Sequence, residues 1–173
     1  SSDLSPGLRN ALNRLRIASG QELDKVETDS KSVLREDEKN VAAMVNLAAY
    51  YAGTGKYELS IAVLKNAREI QQSNLEILYR LSLAHQALGE KLEARLALED
   101  AAKLPGGGSA EIHNNLGIIY HVAGDFPGAE GQFRKALARW PTMLSAQVNL
   151  ANALKGQQKY GDAKAEMDKA LAQ

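Results

Sequence analysis

The sequence repeats with a period of about 34 residues over three-quarters of its length. The recurring triplets are Asn46-Leu47-Ala48, Arg80-Leu81-Ser82, Asn115-Leu116-Gly117 and Asn149-Leu150-Ala151, at intervals of 34, 35 and 34 residues. A larger residue follows each leucine four positions later, and a short polar turn comes next. A constant period carried by many positions at once is typical of stacked structural repeats.

The second half of each period has its own pattern. After the turn comes a small residue, then a large apolar residue four positions later, then an alanine three positions after that. These positions are Ser60, Leu64 and Ala67; Ala94, Leu98 and Ala101; Ala129, Phe133 and Ala136; and Ala163, Met167 and Ala170. Residues three or four apart share a helix face, and Ala and Leu, the strongest helix formers, make up 27 and 24 of the 173 residues. The pattern therefore predicts helix–turn–helix pairs that stack on their neighbours.

This pattern resembles the tetratricopeptide repeat, a helix–turn–helix unit of 34 residues. Leu116-Gly117, Tyr120, Gly124-Asp125-Phe126, Ala129, Phe133, Ala136 and Pro141 carry the best match. The resemblance implies four repeats at residues 41–74, 75–108, 110–143 and 144–173, in one continuous array. The implied fold is all-α, a right-handed α-solenoid of about five helix pairs, because residues 1–40 are predicted to form a further, degenerate pair.

The degenerate pair has recognisable helix signals. Ser5 can cap a helix that has Pro6 at its first position, and Gly20 can end it. The apolar stripe predicted to face the core is Leu8, Ala11, Leu12, Leu15 and Ala18. A second helix is predicted from Leu23, Val26, Ser30, Val33 and Leu34.

Composition argues against several classes of function. The 21 basic residues balance the 21 acidic ones, so phosphate neutralisation, and with it nucleic-acid binding, is disfavoured. There is no cysteine for a disulfide or thiolate ligand. No apolar run reaches the roughly 20 residues that span a bilayer, so no direct membrane insertion is expected. A soluble module is expected, and since Ser1 stands where a methionine would begin translation, the choice between cytoplasm and periplasm stays open.

No catalytic, cofactor or metal site is expected. Gly53-Thr54-Gly55-Lys56 resembles part of a phosphate loop, but it follows a predicted helix and the repeat explains its glycines as a turn. Gly106–Gly108 is interpreted as a loop between repeats, with an interdomain hinge as the alternative. The histidines occupy repeat positions, and His113 and His121 are eight residues apart, too far to bind one metal directly.

The resemblance implies that the first helix of each pair lines a concave groove for an extended peptide or a partner helix. Transferred to this chain, the groove residues are Val45, Asn46 and Ala49; Tyr79, Arg80, Leu83 and Gln86; Asn114, Asn115, Ile118 and His121; and Val148, Asn149, Asn152 and Lys155. Asn46, Asn115 and Asn149 recur at one position, where their amides can hold a peptide backbone or simply meet a family preference. The lysine and asparagine clamp by which some members hold a C-terminal carboxylate is not reproduced, which favours an apolar or neutral segment.

The sequence thus favours a non-enzymatic interaction scaffold or adaptor within a larger assembly, in style a bacterial and possible envelope protein. One alternative is a self-association module, with a homo-oligomer formed through the C-terminal end, where Met167 and Leu171 lie on the last helix. Another is an accessory domain of an enzyme whose catalytic part lies elsewhere.

Overall fold

The computed structural model describes residues 4–172, in which all regular structure is α-helical and no strand occurs. The ten helices are α1 (Pro6–Ser19), α2 (Leu23–Glu36), α3 (Val41–Gly53), α4 (Tyr57–Ile70), α5 (Leu75–Ala87), α6 (Lys91–Lys103), α7 (Ala110–Val122), α8 (Phe126–Arg139), α9 (Leu144–Gly156) and α10 (Tyr160–Leu171). The predicted all-α class with about five helix pairs is confirmed.

The chain divides into two compact units. The first ends at Glu90 and the second begins at Lys91. The boundary therefore falls between α5 and α6, inside the predicted repeat at 75–108, and the repeat limits and the continuous array stay predictions. Each unit has its own core of buried aliphatic side chains.

Side-chain caps and left-handed turn residues set the period. Asn40, Asn74 and Ser109 each accept a hydrogen bond from the backbone N–H three residues later, at the starts of α3, α5 and α7. Gly55, Gly89 and Gly124 turn the chain with φ of 75°, 76° and 82°. In the last pair Gln158 holds the same place at φ 63°, in a region that favours glycine.

In the second unit the core follows the small-and-large pattern of the sequence. Ala129, Phe133, Leu150, Ala153 and Leu154 form one buried cluster of α8 and α9. A Cβ atom on Gly117 would lie 2.4 Å from Cε1 of Phe133, so the glycine is what allows α7 and the Phe133 ring to approach. The spacing read from the sequence thus fixes which side chains meet in this unit.

One carboxylate ties α8 to the turn before α10. Glu130 accepts hydrogen bonds from Gln157 Nε2 at 2.8 Å, Lys159 Nζ at 3.0 Å and Arg134 Nε at 2.9 Å. Burial alone would raise the pKa of Glu130, but these donors outweigh it and lower the pKa to about 2.

The first helix pair corrects the predicted apolar stripe of α1. Of the stripe, Leu8, Ala11, Leu15 and Ala18 are exposed and Leu12 is only half-buried, whereas Val26, Ser30 and Val33 of α2 are buried as expected. The side of α1 that faces the core instead carries Arg9, Asn10, Asn13 and Arg16, all buried.

A polar network holds that inner side of α1. Arg16 Nη1 donates to Asp29 Oδ2 at 2.5 Å and to Asn13 Oδ1 at 3.0 Å. Arg9 Nη2 donates to both oxygens of Glu36, at 2.8 and 2.6 Å, and this bond lowers the pKa of Glu36. A buried arginine must keep its carboxylate partner, and these carboxylates all lie on α2. The partners therefore turn the arginine side of α1 inward and leave its leucine stripe outward.

Candidate functional site

Each unit has one small recess that contains residues of the predicted groove. In the first unit it is lined by Ala48, Ala49, Ala52, Tyr57, Ser60, Arg80, Leu83 and Ala84, with a volume of about 80 Å³. In the second unit it is lined by Ile118, His121, Phe133, Asn149 and Asn152, also with a volume of about 80 Å³. Both recesses are formed by two first helices and the second helix between them in sequence: α3, α4 and α5 in one unit, α7, α8 and α9 in the other.

The two recesses use the same positions of the repeat. Counted from the first residue of the first helix, positions 9 and 12 are Ala49 and Ala52 in one recess and Ile118 and His121 in the other. The following first helix contributes its positions 6 and 9: Arg80 and Leu83, or Asn149 and Asn152. The recess is therefore a product of the repeat itself.

In the first unit the recess is mainly apolar. Arg80 donates from Nε and Nη2 to Glu76 Oε1, at 3.0 and 2.9 Å, and Ser60 Oγ donates to the Ala48 carbonyl at 2.9 Å. Leu83 is 43% exposed. Since the polar groups already have partners, what this recess offers a ligand is alanine and leucine surface.

In the second unit the recess is more polar. Phe133 is buried at one side, and the ring of His121 stands edge-on to Phe126 with their centroids 5.2 Å apart. Asn149 Nδ2 donates to Asn114 Oδ1 at 3.1 Å, whereas Asn152 is exposed. An aromatic side with an amide at the rim suits a neutral segment with one apolar side chain.

The structure brings some of the predicted groove residues together and separates others. Ala49, Arg80 and Leu83 meet in one recess, and Ile118, His121, Asn149 and Asn152 in the other. Tyr79, Gln86, Asn115 and Val148 are partly buried and Lys155 is exposed, and none of these lines a recess. Val45, Asn46 and Asn114 are buried.

The asparagine row does work within the protein. Asn46 Nδ2 donates to the Asn10 carbonyl oxygen at 3.1 Å, which joins α3 to α1. Asn149 donates to Asn114 in the same way and joins α9 to α7. These two amides connect successive helix pairs, so their recurrence has a structural reason before any ligand is considered.

Sequence reasoning missed the residues that the intervening second helix contributes. Tyr57, Ser60 and Phe133 belong to α4 and α8, and they close the recesses from the side. Their signal was present, since Ser60 and Phe133 occupy recurring positions of the second half of the period. They were assigned to the core alone because only first helices were expected to line the groove.

Other features of the described chain carry less chemistry. A wider, open depression of about 720 Å³ follows the turn from Glu69 to Leu75 and contains none of the predicted groove residues. Between residues 4 and 172, no three His, Asp or Glu side chains come close enough to hold a metal ion. His85 Nδ1 lies 2.5 Å from Glu90 Oε2, and His113 Nδ1 lies 2.9 Å from Gln132 Oε1. None of the helices described is both long and apolar enough to cross a membrane.

Comparisons with known proteins agree with this geometry. Residues 79–143 match the tetratricopeptide repeat family model. A solved MamA protein matches 96% of this chain with 90% of its own, at 24% identity and a TM-score of 0.85. The PilF protein of Pseudomonas aeruginosa matches 94% of this chain with 73% of its own, at 17% identity and a TM-score of 0.84.

A third structure, YrrB, is described as a tetratricopeptide-repeat protein with an unusual peptide-binding site. It matches 95% of this chain with 84% of its own, at 19% identity and a TM-score of 0.79. A search of curated proteins finds no match. Residues 79–143 of the chain therefore belong to the tetratricopeptide-repeat family, and the described chain has that family's fold of paired helices.

Proposed function

We propose that this protein is a non-enzymatic interaction module that binds an extended segment or a helix of another protein along its first helices. The observation that carries the proposal is the recurrence of one recess at the same repeat positions in both units. A surface that repeats with the fold suits a ligand that also repeats, which a polypeptide does.

The size of each recess favours a single side chain. A volume of about 80 Å³ corresponds to two or three water molecules. Small-molecule and cofactor pockets usually enclose roughly 300–1,000 Å³. Each recess therefore accepts one small aliphatic side chain of a bound segment, of about the size of valine.

The polarity of the recesses favours a neutral segment. Arg80 is already paired with Glu76, so the first recess has no free cation to attract an acidic tail. In the second recess Asn152 is exposed at the rim, where its amide can donate to a carbonyl and accept from an N–H group. We therefore propose a ligand with aliphatic side chains separated by uncharged residues.

Similarity to solved proteins supports the class of function and suggests the setting. YrrB is described as having a peptide-binding site, and PilF comes from Pseudomonas aeruginosa. On this basis we propose a bacterial adaptor that works within a larger, envelope-associated assembly.

A selection experiment tests the proposal. The chain is immobilised and used to select binders from a displayed library of random peptides, and the Kd of each enriched peptide is measured by fluorescence polarisation. Peptides with spaced aliphatic residues are expected, and their binding should weaken at least tenfold when Ala52→Leu narrows the first recess or Asn152→Arg blocks the second.

The matched control is Leu59→Arg, which changes an exposed leucine of α4 that lines neither recess. It should leave the Kd unchanged, and circular dichroism should show equal helicity for all variants. Enriched peptides that bind both recess variants as tightly as the unmodified chain would contradict the proposed site.

A further inference from the structure

The outward face of α1 is unlike a solvent-facing helix surface. It carries Leu8, 59% exposed, and Leu15, 68% exposed, together with Ala11 and Ala18, and Arg14 is its only charged residue. No residue between 4 and 172 covers either leucine. Two leucines so exposed on one helix face are typical of an interaction surface.

The repeat explains which surface this is. Leu8 and Leu15 occupy positions 3 and 10 of α1. In the later first helices position 3 is Ala43, Ile77, Ile112 or Ala146, and position 10 is Tyr50, Ala84, Ile119 or Ala153. All of these are buried except Tyr50, which is half-buried. These are the positions by which a helix pair stacks on the one before it, and only α1 leaves them open.

The step from α8 to α9 shows what covers such positions. Ala146 clusters with Ala136, and Ala153 clusters with Phe133, while Leu137 of α8 packs against both clusters. A second helix therefore offers its positions 24, 27 and 28 to positions 3 and 10 of the next first helix.

The same three positions recur on the last helix of the chain. On α10 they are Met167, Ala170 and Leu171. Leu171 is 80% exposed, whereas Leu137 at the equivalent position is half-buried. The chain thus presents both halves of its own stacking contact, one on α1 and one on α10.

Charge favours a contact between these two unlike faces over a contact between two α1 helices. α1 contains three arginines and no carboxylate, and Arg14 is exposed. Two α1 faces in contact would bring like charges together. α10 instead carries the exposed Asp162 and the pair of Lys164 Nζ with Asp168 Oδ2 at 2.6 Å.

We propose that α1 of one molecule stacks on α10 of a second copy of this chain, in the register by which α9 stacks on α8. The contact is heterologous, so it leaves one free face on each side and can continue from copy to copy. It covers little more than one helix face, so the association is expected to be weak and concentration-dependent. The proposal does not depend on the recesses, and it names a surface for the self-association alternative.

Sedimentation velocity from low to several hundred micromolar tests the proposal. The unmodified chain should shift to larger species as its concentration rises. Leu15→Glu and Leu171→Glu should each remain monomeric at all concentrations, and the control Leu59→Glu, another exposed leucine, should behave as the unmodified chain.

Mixing the two monomeric variants distinguishes the modes of contact. The Leu15→Glu copy keeps a functional α10 and the Leu171→Glu copy keeps a functional α1, so an equimolar mixture should form a dimer that grows no further. Dimers of Leu171→Glu alone would show that two α1 faces pair and would overturn the proposal. An unmodified chain that stays monomeric throughout would overturn it too, and would leave the leucine face to a different protein.

Discussion

The first helix pair and the third repeat solve the same packing problem with opposite chemistry. In the third repeat, position 8 of α7 is Gly117, and the space it leaves is filled by the ring of Phe133. In the first pair, position 8 of α1 is Asn13, whose Nδ2 donates to Ser30 Oγ of α2 at 3.3 Å. One pair combines a very small with a very large residue, and the other combines two polar residues of middle size.

The neighbouring positions extend the contrast. Positions 4 and 11 are Arg9 and Arg16 on α1, but His113 and Tyr120 on α7. Tyr120 donates its hydroxyl to Glu99 Oε1 at 2.8 Å, so α7 reaches the preceding helix with one polar tip. α1 uses two whole guanidinium groups. Helix-pair geometry therefore tolerates a polar interior, provided that every buried polar group finds its partner.

The two interiors should respond differently to the loss of one side chain. Phe133→Ala is expected to lower the free energy of unfolding by about 3–5 kcal/mol, because it removes the largest fully buried side chain and leaves a cavity. Urea unfolding measures the change, and hydrogen exchange should show lost protection in α7–α9. Equal loss of protection in α1 and α2 would show that the two regions are not separable.

The polar interior makes a second, sharper test. Asp29→Ala should lower the free energy of unfolding by about 2–3 kcal/mol, since it removes the closest carboxylate from a buried Arg16 that retains Glu22 and Asn13. The double variant Arg16→Met with Asp29→Leu should return to within about 1 kcal/mol of the unmodified chain, because no unpaired charge remains.

A matched control is Asp24→Ala, an exposed carboxylate of the same helix. Its effect should stay within about 0.5 kcal/mol. If the double variant is less stable than Asp29→Ala alone, the network contributes more than charge compensation, and the two interiors are less interchangeable than proposed.

Acid separates the contributions of single carboxylates. The folded-state pKa of Glu130 is lowered to about 2 from 4.5. Its contribution to stability is therefore complete above the ordinary pKa and is lost as the pH falls through about 2. Glu130→Gln should be less stable than the unmodified chain at neutral pH, and the difference should shrink steadily between pH 4.5 and 2. A pH-independent difference would assign the effect to lost hydrogen bonding alone.

The smallest expected effect concerns backbone strain. Each region holds one non-glycine residue at positive φ: Glu22 at 50° and Gln158 at 63°. Gln158→Gly should raise the free energy of unfolding by about 1 kcal/mol, because the side chain no longer opposes the left-handed conformation. Glu22→Gly should bring no such gain, since Glu22 also accepts from Arg16 Nε at 3.2 Å. Thermal unfolding of the two variants measures the contrast.

Much of the fold was predictable because the period states it. The turn at Gly124, the cap at Ser109 and the meeting of α7 with Phe133 all follow from residues that recur at fixed spacing. The recesses were half predictable. Ile118, Asn149 and Leu83 were identified from the first helices, but Tyr57 and the side wall formed by Phe133 required the position of the second helices.

The sequence by itself determined the helix pairs, their turns and the small-and-large core, because these depend on contacts within a repeat and between adjacent repeats. Only the tertiary structure decided which side of α1 faces inward, since that depends on carboxylates of α2 that come within reach of Arg9 and Arg16 after folding. It also decided that the amides of Asn46 and Asn149 join successive helix pairs. An apolar stripe indicates a buried face only where no better-paired polar stripe lies on the same helix.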